Sequence, residues 1–77
     1  NPFQQVTTFE LNLPKESLVM LEVYSLAGQR LLQQSSTLAG GFNQLQVRAK
    51  DLSQDGILWY RITVDGDSRS GKMILIK

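Results

Sequence analysis

Hydrophobic and polar residues alternate along most of this chain, and the alternation predicts short β-strands. Successive side chains of a strand point to opposite faces, so each alternating apolar set marks one face. These sets are Phe9, Leu11 and Leu13; Val19, Leu21 and Val23; Leu45 and Val47; Leu58, Tyr60, Ile62 and Val64; Met73 and Leu75. The pattern predicts a first strand that ends at Pro14, followed by strands over residues 19–24, 30–35, 42–49, 57–64 and 68–77.

Glycine and aspartate residues separate these segments and predict the turns between them. Residues 25–28 end on Gly28, and Gly40 and Gly41 form the next break. Asp65 and Gly66 predict a type I′ hairpin turn, because both central residues of that turn have positive φ. A helix over residues 16–32 is the alternative, but the valines and Gly28 of that segment favour strand.

Six or seven short antiparallel strands in 77 residues predict a single all-β domain, an immunoglobulin-like antiparallel β-sandwich. Trp59 has the opposite parity to its neighbour Tyr60 and is expected to face outward. On the last strand, Lys72, Ile74 and Ile76 are expected to face away from Met73 and Leu75. The predicted core consists of Phe9, Leu11, Val19, Leu21, Val23, Leu45, Val47, Leu58, Tyr60 and Ile62.

Composition narrows the chemistry that the domain can perform. The chain is 42% hydrophobic and 19% charged, which is typical of a folded domain. It contains no Cys and no His, so it lacks the thiolate and imidazole groups of most nucleophilic and metal sites. Its formal net charge of +1 favours neither nucleic acid nor an anionic membrane. We therefore expect a non-enzymatic domain with no cofactor, no metal, no nucleic-acid partner and no small-molecule substrate.

A few residues are of types that also occur in metal, phosphate or carbohydrate sites, so each has a functional and a structural interpretation. Asp51 with Asp55, and Asp65 with Asp67, could form a weak calcium or acid–base site, but aspartate is also a common turn residue and we favour that role. Gly40-Gly41 is followed by no Lys-Ser/Thr pair and is expected to be a turn rather than a phosphate loop. An outward Trp59 could stack on a sugar, although packing against a loop or a partner is the more common use.

Several short motifs occur in a fixed order along nearly the whole chain. They are Asn1-Pro2-Phe3, Thr7-Thr8-Phe9, residues 19–30 with Tyr24, Gly28 and Arg30, Leu38-Ala39-Gly40-Gly41, Leu52 with Gly56, Tyr60-Arg61-Ile62, and residues 72–77. This order resembles the type A C-terminal sorting domain of the type IX secretion system (the Por secretion system) of Bacteroidota. The chain departs from that family at Leu58, where an aromatic residue is usual, and at Gln29, which separates Gly28 from Arg30.

The resemblance implies a C-terminal sorting domain over residues 1–77, with a cargo domain upstream. The opening Asn1, with no initiator Met, agrees with a piece of a longer protein. In this family the domain crosses the outer membrane with its cargo to the cell surface and is usually cleaved by a sortase, and the cargo is attached to an anionic lipopolysaccharide. The implied partners are therefore the outer-membrane machinery, the sortase and the cargo.

The resemblance also assigns roles to individual residues. The family-type turn residues would be Gly28, Arg30, Gly40 and Gly56. The segment recognised by the secretion machinery would be Lys72, Met73, Ile74, Leu75, Ile76 and Lys77.

Two other classes of function remain open from sequence. One is an accessory β-sandwich of a secreted hydrolase, which would bind carbohydrate or act as a spacer. The other is a small enzyme, which the missing His and Cys disfavour.

Overall fold

The computed structural model describes residues 6–54 and 56–75, and it has two antiparallel β-sheets packed as a sandwich. The described residues form six strands and one short 3₁₀ helix (η1) between β4 and β5. They are β1 (Val6–Leu13), β2 (Ser17–Tyr24), β3 (Arg30–Leu38), β4 (Gly41–Arg48), η1 (Ala49–Asp51), β5 (Gly56–Val64) and β6 (Asp67–Leu75). The predicted all-β, immunoglobulin-like antiparallel sandwich is confirmed.

The two sheets differ in width. One contains β1 and β4, and the other has the order β3-β2-β5-β6. All pairs are antiparallel, and β2 lies between β3 and β5 with Val23 opposite both Leu32 and Tyr60. Among the described residues, β6 pairs only with β5 and is therefore an edge strand.

Six of the ten predicted core residues are buried, and the other four are half-buried. The half-buried residues are Phe9, Leu11, Leu45 and Tyr60, which pack against the core from its margin. Their partial exposure follows from sheet width, since two strands cannot cover four. The core also includes five residues that the prediction left out: Leu13, Ala49, Leu52, Met73 and Leu75.

The predicted boundaries of five strands were wrong by one to three residues, including the starts of β2 at Ser17 and of β5 at Gly56. β3 continues three residues beyond 35 to Leu38, because residues 36–38 still pair with the start of β2. β4 begins and ends one residue early, since Ala49 starts the 3₁₀ helix and is buried there. β6 begins one residue early at Asp67, and the predicted end of this strand at residues 76 and 77 lies outside the described residues.

The predicted hairpin turns are confirmed. Asp65 and Gly66 have φ of 48° and 92°, as the type I′ turn requires, and they connect the paired residues Val64 and Asp67. Gly28 has φ of 92° and donates its N–H to the Ser25 carbonyl at 2.9 Å. The helical alternative for residues 16–32 is wrong, because this segment holds β2, the turn and the start of β3. Residues 6–54 and 56–75 include no helix long and apolar enough to cross a membrane.

Candidate functional site

The segment singled out for recognition lies in edge strand β6 as far as Leu75. Met73 and Leu75 point into the core, with 6% and 0% of their surface exposed, whereas Lys72 and Ile74 face solvent. This alternation was predicted, and it follows from the register in which Leu58 pairs with Met73. Ile76 and Lys77 lie outside the described residues. The described part of the segment is thus anchored on one face and accessible on the other.

The exposed side of β6 continues into an apolar patch on β5. Ile57 pairs with Ile74 and Trp59 pairs with Lys72, so four side chains share one face of the hairpin. Ile57, Trp59 and Ile74 are 45%, 41% and 63% exposed. The Lys72 ammonium lies 5.7 Å from the centre of the Trp59 ring, within the range of a cation–π contact. Trp59 faces outward as predicted. We call Ile57, Trp59, Lys72 and Ile74 the hairpin patch.

A buried carboxylate lies next to the hairpin patch, on the same outer face of the four-stranded sheet. Glu22 is only 3% exposed, and its Oε2 accepts a 2.6 Å hydrogen bond from the Tyr24 hydroxyl. Its Oε1 accepts a 2.9 Å hydrogen bond from Arg61 Nε, with Arg61 Nη2 at 2.8 Å. Arg30 Nη1 lies 3.9 Å from Oε2. The carboxylate therefore has partners for both oxygens, as a buried charge requires.

These contacts shift the ionisation of the residues in the network. The pKa of Glu22 lies below its ordinary value of 4.5, first because the Tyr24 hydroxyl donates a hydrogen bond to the carboxylate and second because of the Arg61 guanidinium. The pKa of Tyr24 lies above its ordinary value, chiefly because the phenol proton is held by Glu22. Sequence analysis missed this network. The two residues that form its ion pair, Glu22 and Arg61, are 39 positions apart and meet only through the β2–β5 register.

The four family-type turn residues lie at different places in the fold. Gly28 and Gly56 have φ of 92° and 98°, which favour glycine. Gly40 lacks that conformation, but a Cβ there would lie 3.1 Å from the Lys15 Cα, so its role is close backbone approach. Gly41 has the positive φ at this break, at 97°. Of the four, Arg30 alone reaches the outer-face network, and Gly56 alone pairs with β6, opposite Leu75.

The aspartates have structural surroundings that fit turn residues. Asp65 Oδ1 accepts a 3.3 Å hydrogen bond from the backbone N–H of Leu18, which ties the β5–β6 turn to the start of β2. Asp51 closes the 3₁₀ helix, and Asp55 lies outside the described residues. No group of three or more His, Cys, Asp or Glu side chains suited to a metal occurs in residues 6–54 and 56–75.

The chain was also compared with known proteins. No protein-family model, no curated protein and no solved structure matches it. The functional assignment therefore depends on the residues and contacts described above.

Proposed function

We propose that this chain is a type A C-terminal sorting domain of the type IX secretion system of Bacteroidota. It is a non-catalytic signal domain that directs a cargo protein across the outer membrane to the cell surface. The observation that carries the proposal is the position of residues 72–75 in edge strand β6. Met73 and Leu75 fix this segment to the core, while Lys72 and Ile74 remain exposed.

An edge strand suits recognition by a protein partner on general grounds. Its unpaired backbone groups provide affinity, and its alternate side chains provide specificity. Lys72 discourages indiscriminate pairing of this edge with other chains, because a charged side chain at an edge disfavours aggregation. Since Met73 and Leu75 are buried only in the folded sandwich, the segment takes up this geometry only when the domain is folded.

The proposal assigns the domain three partners: the outer-membrane secretion machinery, a cell-surface sortase that cleaves the domain, and the cargo domain of the same polypeptide. The positive φ of Gly28 and Gly56 supports the motif comparison at two of its glycines. Gly28 lies in the turn between β2 and β3, and Gly56 is the first residue of β5, the strand that pairs with β6.

The test is export of a reporter fused to the domain in a host with a type IX secretion system. Deleting residues 72–77 would also remove the buried Met73 and Leu75 and so would confuse recognition with folding. The sharper variant is Lys72→Ala plus Ile74→Ala, because both side chains are exposed and their loss leaves the core intact. We expect this double variant to fold normally and to reduce surface display of the reporter.

A matched control removes one exposed lysine and one exposed apolar residue elsewhere. Lys50→Ala plus Leu26→Ala meets that requirement, since both lie outside β6 and Leu26 is 62% exposed. The control variant should display the reporter as well as the unmodified domain. Equal surface display of the reporter by both double variants would show that Lys72 and Ile74 have no role in recognition. Failure of the unmodified domain to export a compatible reporter would contradict the sorting function itself.

One observation favours the second candidate, a carbohydrate-binding accessory domain. Trp59 is 41% exposed and lies opposite Tyr24 in the register, so two aromatic side chains share the outer face. Against it, the Lys72 ammonium already lies over the Trp59 ring. Trp59 is the single tryptophan of the chain, so titration with oligosaccharides while following tryptophan fluorescence reports on this site directly. If the chain is a sorting domain, we expect no saturable change in the tryptophan fluorescence.

A further inference from the structure

The unequal widths of the two sheets leave a cleft at one side of the sandwich. The cleft has a volume of about 550 Å³ and lies between β1 and the β5–β6 hairpin. Its apolar lining includes Phe9, Leu11, Tyr60, Ile62 and Val64. All of these except Ile62 are only half-buried, and the Phe9 and Tyr60 rings lie 4.8 Å apart. The cleft falls within the size range of protein binding sites, about 300–1,000 Å³.

The β1 wall of this cleft is the edge of a strand. Phe9 and Leu11 line the cleft together with Glu10 and Asn12, although adjacent strand residues point to opposite faces. The lining therefore includes the strand backbone between them. Among the described residues β1 pairs only with β4, so its other side presents N–H and C=O groups without strand partners. Such an edge can accept an added strand.

The mouth of the cleft is mainly acidic. Glu10, Asp65 and Asp67 line it with a single cationic side chain, Arg69. Asp65 already accepts a hydrogen bond from Leu18, and Asp67 shares the inner face with Val64. Glu10, on the outward face of β1, is therefore the carboxylate best placed to meet a charged side chain of an added strand. A positively charged ligand is favoured at such a mouth. If that ligand also has apolar groups, these can cover the apolar lining of the cleft.

We propose that the cleft binds an extended peptide strand of a partner protein in which apolar and basic side chains alternate. The peptide backbone pairs with the free edge of β1, and its apolar side chains cover Phe9 and Tyr60. Its basic side chains, on the opposite face of the peptide, lie beside Glu10. Because β1 has eight residues, a peptide of about eight residues matches its length. The site is separate from Lys72 and Ile74, and the proposal does not depend on a role in export.

The experiment is an NMR titration of the isotope-labelled chain with an eight-residue peptide of alternating valine and lysine. We expect saturable shifts of the backbone amides of β1 (Val6–Leu13). A matched peptide of valine and glutamate should bind about tenfold more weakly or less, because its charge opposes that of the mouth. A form of the lysine peptide that is N-methylated at every backbone nitrogen should not bind, since it lacks the N–H groups needed for pairing.

Charge variants of the chain provide the second comparison. Glu10→Gln should weaken binding of the lysine peptide by about threefold. The control Glu16→Gln makes the same charge change at an exposed site outside the cleft and should leave affinity unchanged. Absence of binding, shifts away from β1, equal binding of both charged peptides or binding of the N-methylated peptide would each overturn the proposal. A dimer in sedimentation experiments that protects the β1 amides without peptide would assign the cleft to a second copy and would also overturn it.

Discussion

Gly71 offers a sharp test of the packing between β5 and β6. It lies directly opposite Tyr60 in the register, and a Cβ placed on it would lie 2.5 Å from the Tyr60 hydroxyl oxygen and 2.6 Å from Cζ. Ordinary contacts between such atoms are about 3.5–4.0 Å, so Gly71→Ala forces the ring to move by about 1 Å. The ring also packs against Phe9, with the ring centroids 4.8 Å apart. In the sequence Gly71 is an ordinary glycine of a predicted strand. In the structure the Tyr60 ring occupies the space that a Cβ at Gly71 would take.

The expected change in the free energy of unfolding combines two opposing effects. Overpacking costs about 1–3 kcal/mol, and replacing glycine where φ is ordinary returns about 0.4–1 kcal/mol through the unfolded chain. Gly71→Ala should therefore lower the free energy of unfolding by about 1–2 kcal/mol. At about 4–8 °C per kcal/mol for a domain of this size, the melting temperature should fall by roughly 5–15 °C.

A double-mutant cycle separates this clash from a general intolerance of alanine in β6. In a Tyr60→Ala background the ring is gone, so adding Gly71→Ala should be neutral or stabilising by up to about 1 kcal/mol. Ser70→Ala, at the exposed neighbouring position, is the control and should change stability by less than about 0.5 kcal/mol. Urea denaturation followed by Trp59 fluorescence measures all four variants. Equal losses from Gly71→Ala with and without the Tyr60 ring would refute the packing described here.

Three further predictions test other parts of the fold. Leu21→Ala, at a position 1% exposed, should cost about 2–5 kcal/mol in urea denaturation, and an unchanged midpoint would contradict the register of β2. Gly66→Ala should cost about 1–2 kcal/mol in the same assay, because φ at this turn position is 92°, and a neutral result would contradict the type I′ turn. Because the folded-state pKa of Glu22 is lowered, its contribution to stability is present above about pH 4.5 and is lost as the pH falls through the folded value. Glu22→Gln should therefore reduce the decrease in melting temperature that accompanies a fall in pH. If the melting temperature of this variant falls as much as that of the unmodified domain, Glu22 is excluded as the source of the decrease.

Much of the fold was predictable because side-chain parity in a strand is a local property. It correctly placed Met73 and Leu75 together on one face of β6, although both were left out of the predicted core. It also oriented Trp59 outward, and the Asp65-Gly66 pair specified its turn through positive φ. The same alternation carries no information about which strands pair. The narrow β1–β4 sheet, which leaves Phe9 half-buried, therefore emerged only from the structure.

The polar part of the candidate site was harder to predict for the same reason. The pairing of Glu22 with Arg61 requires the β2–β5 register, and its burial requires Tyr24 and Arg30 to converge on it. In the sequence, Glu22 is one polar residue of an alternating strand and suggests solvent exposure. The buried residues of the connection between β4 and β5, Ala49 and Leu52, were also left out of the predicted core. Leu52 lies outside any alternating strand, and Ala49 was placed at the end of the predicted strand 42–49 without being assigned to the core.

The central claim, that the domain is a sorting signal, is tested most directly by surface display of a fused reporter. The measurement compares a type IX-competent host with an otherwise identical strain that lacks the secretion machinery, using the unmodified domain in both. The account predicts reporter on the surface of the competent cells and reporter retained inside the envelope of the deficient cells. Equal retention in both strains, or equal surface display in both, would contradict it.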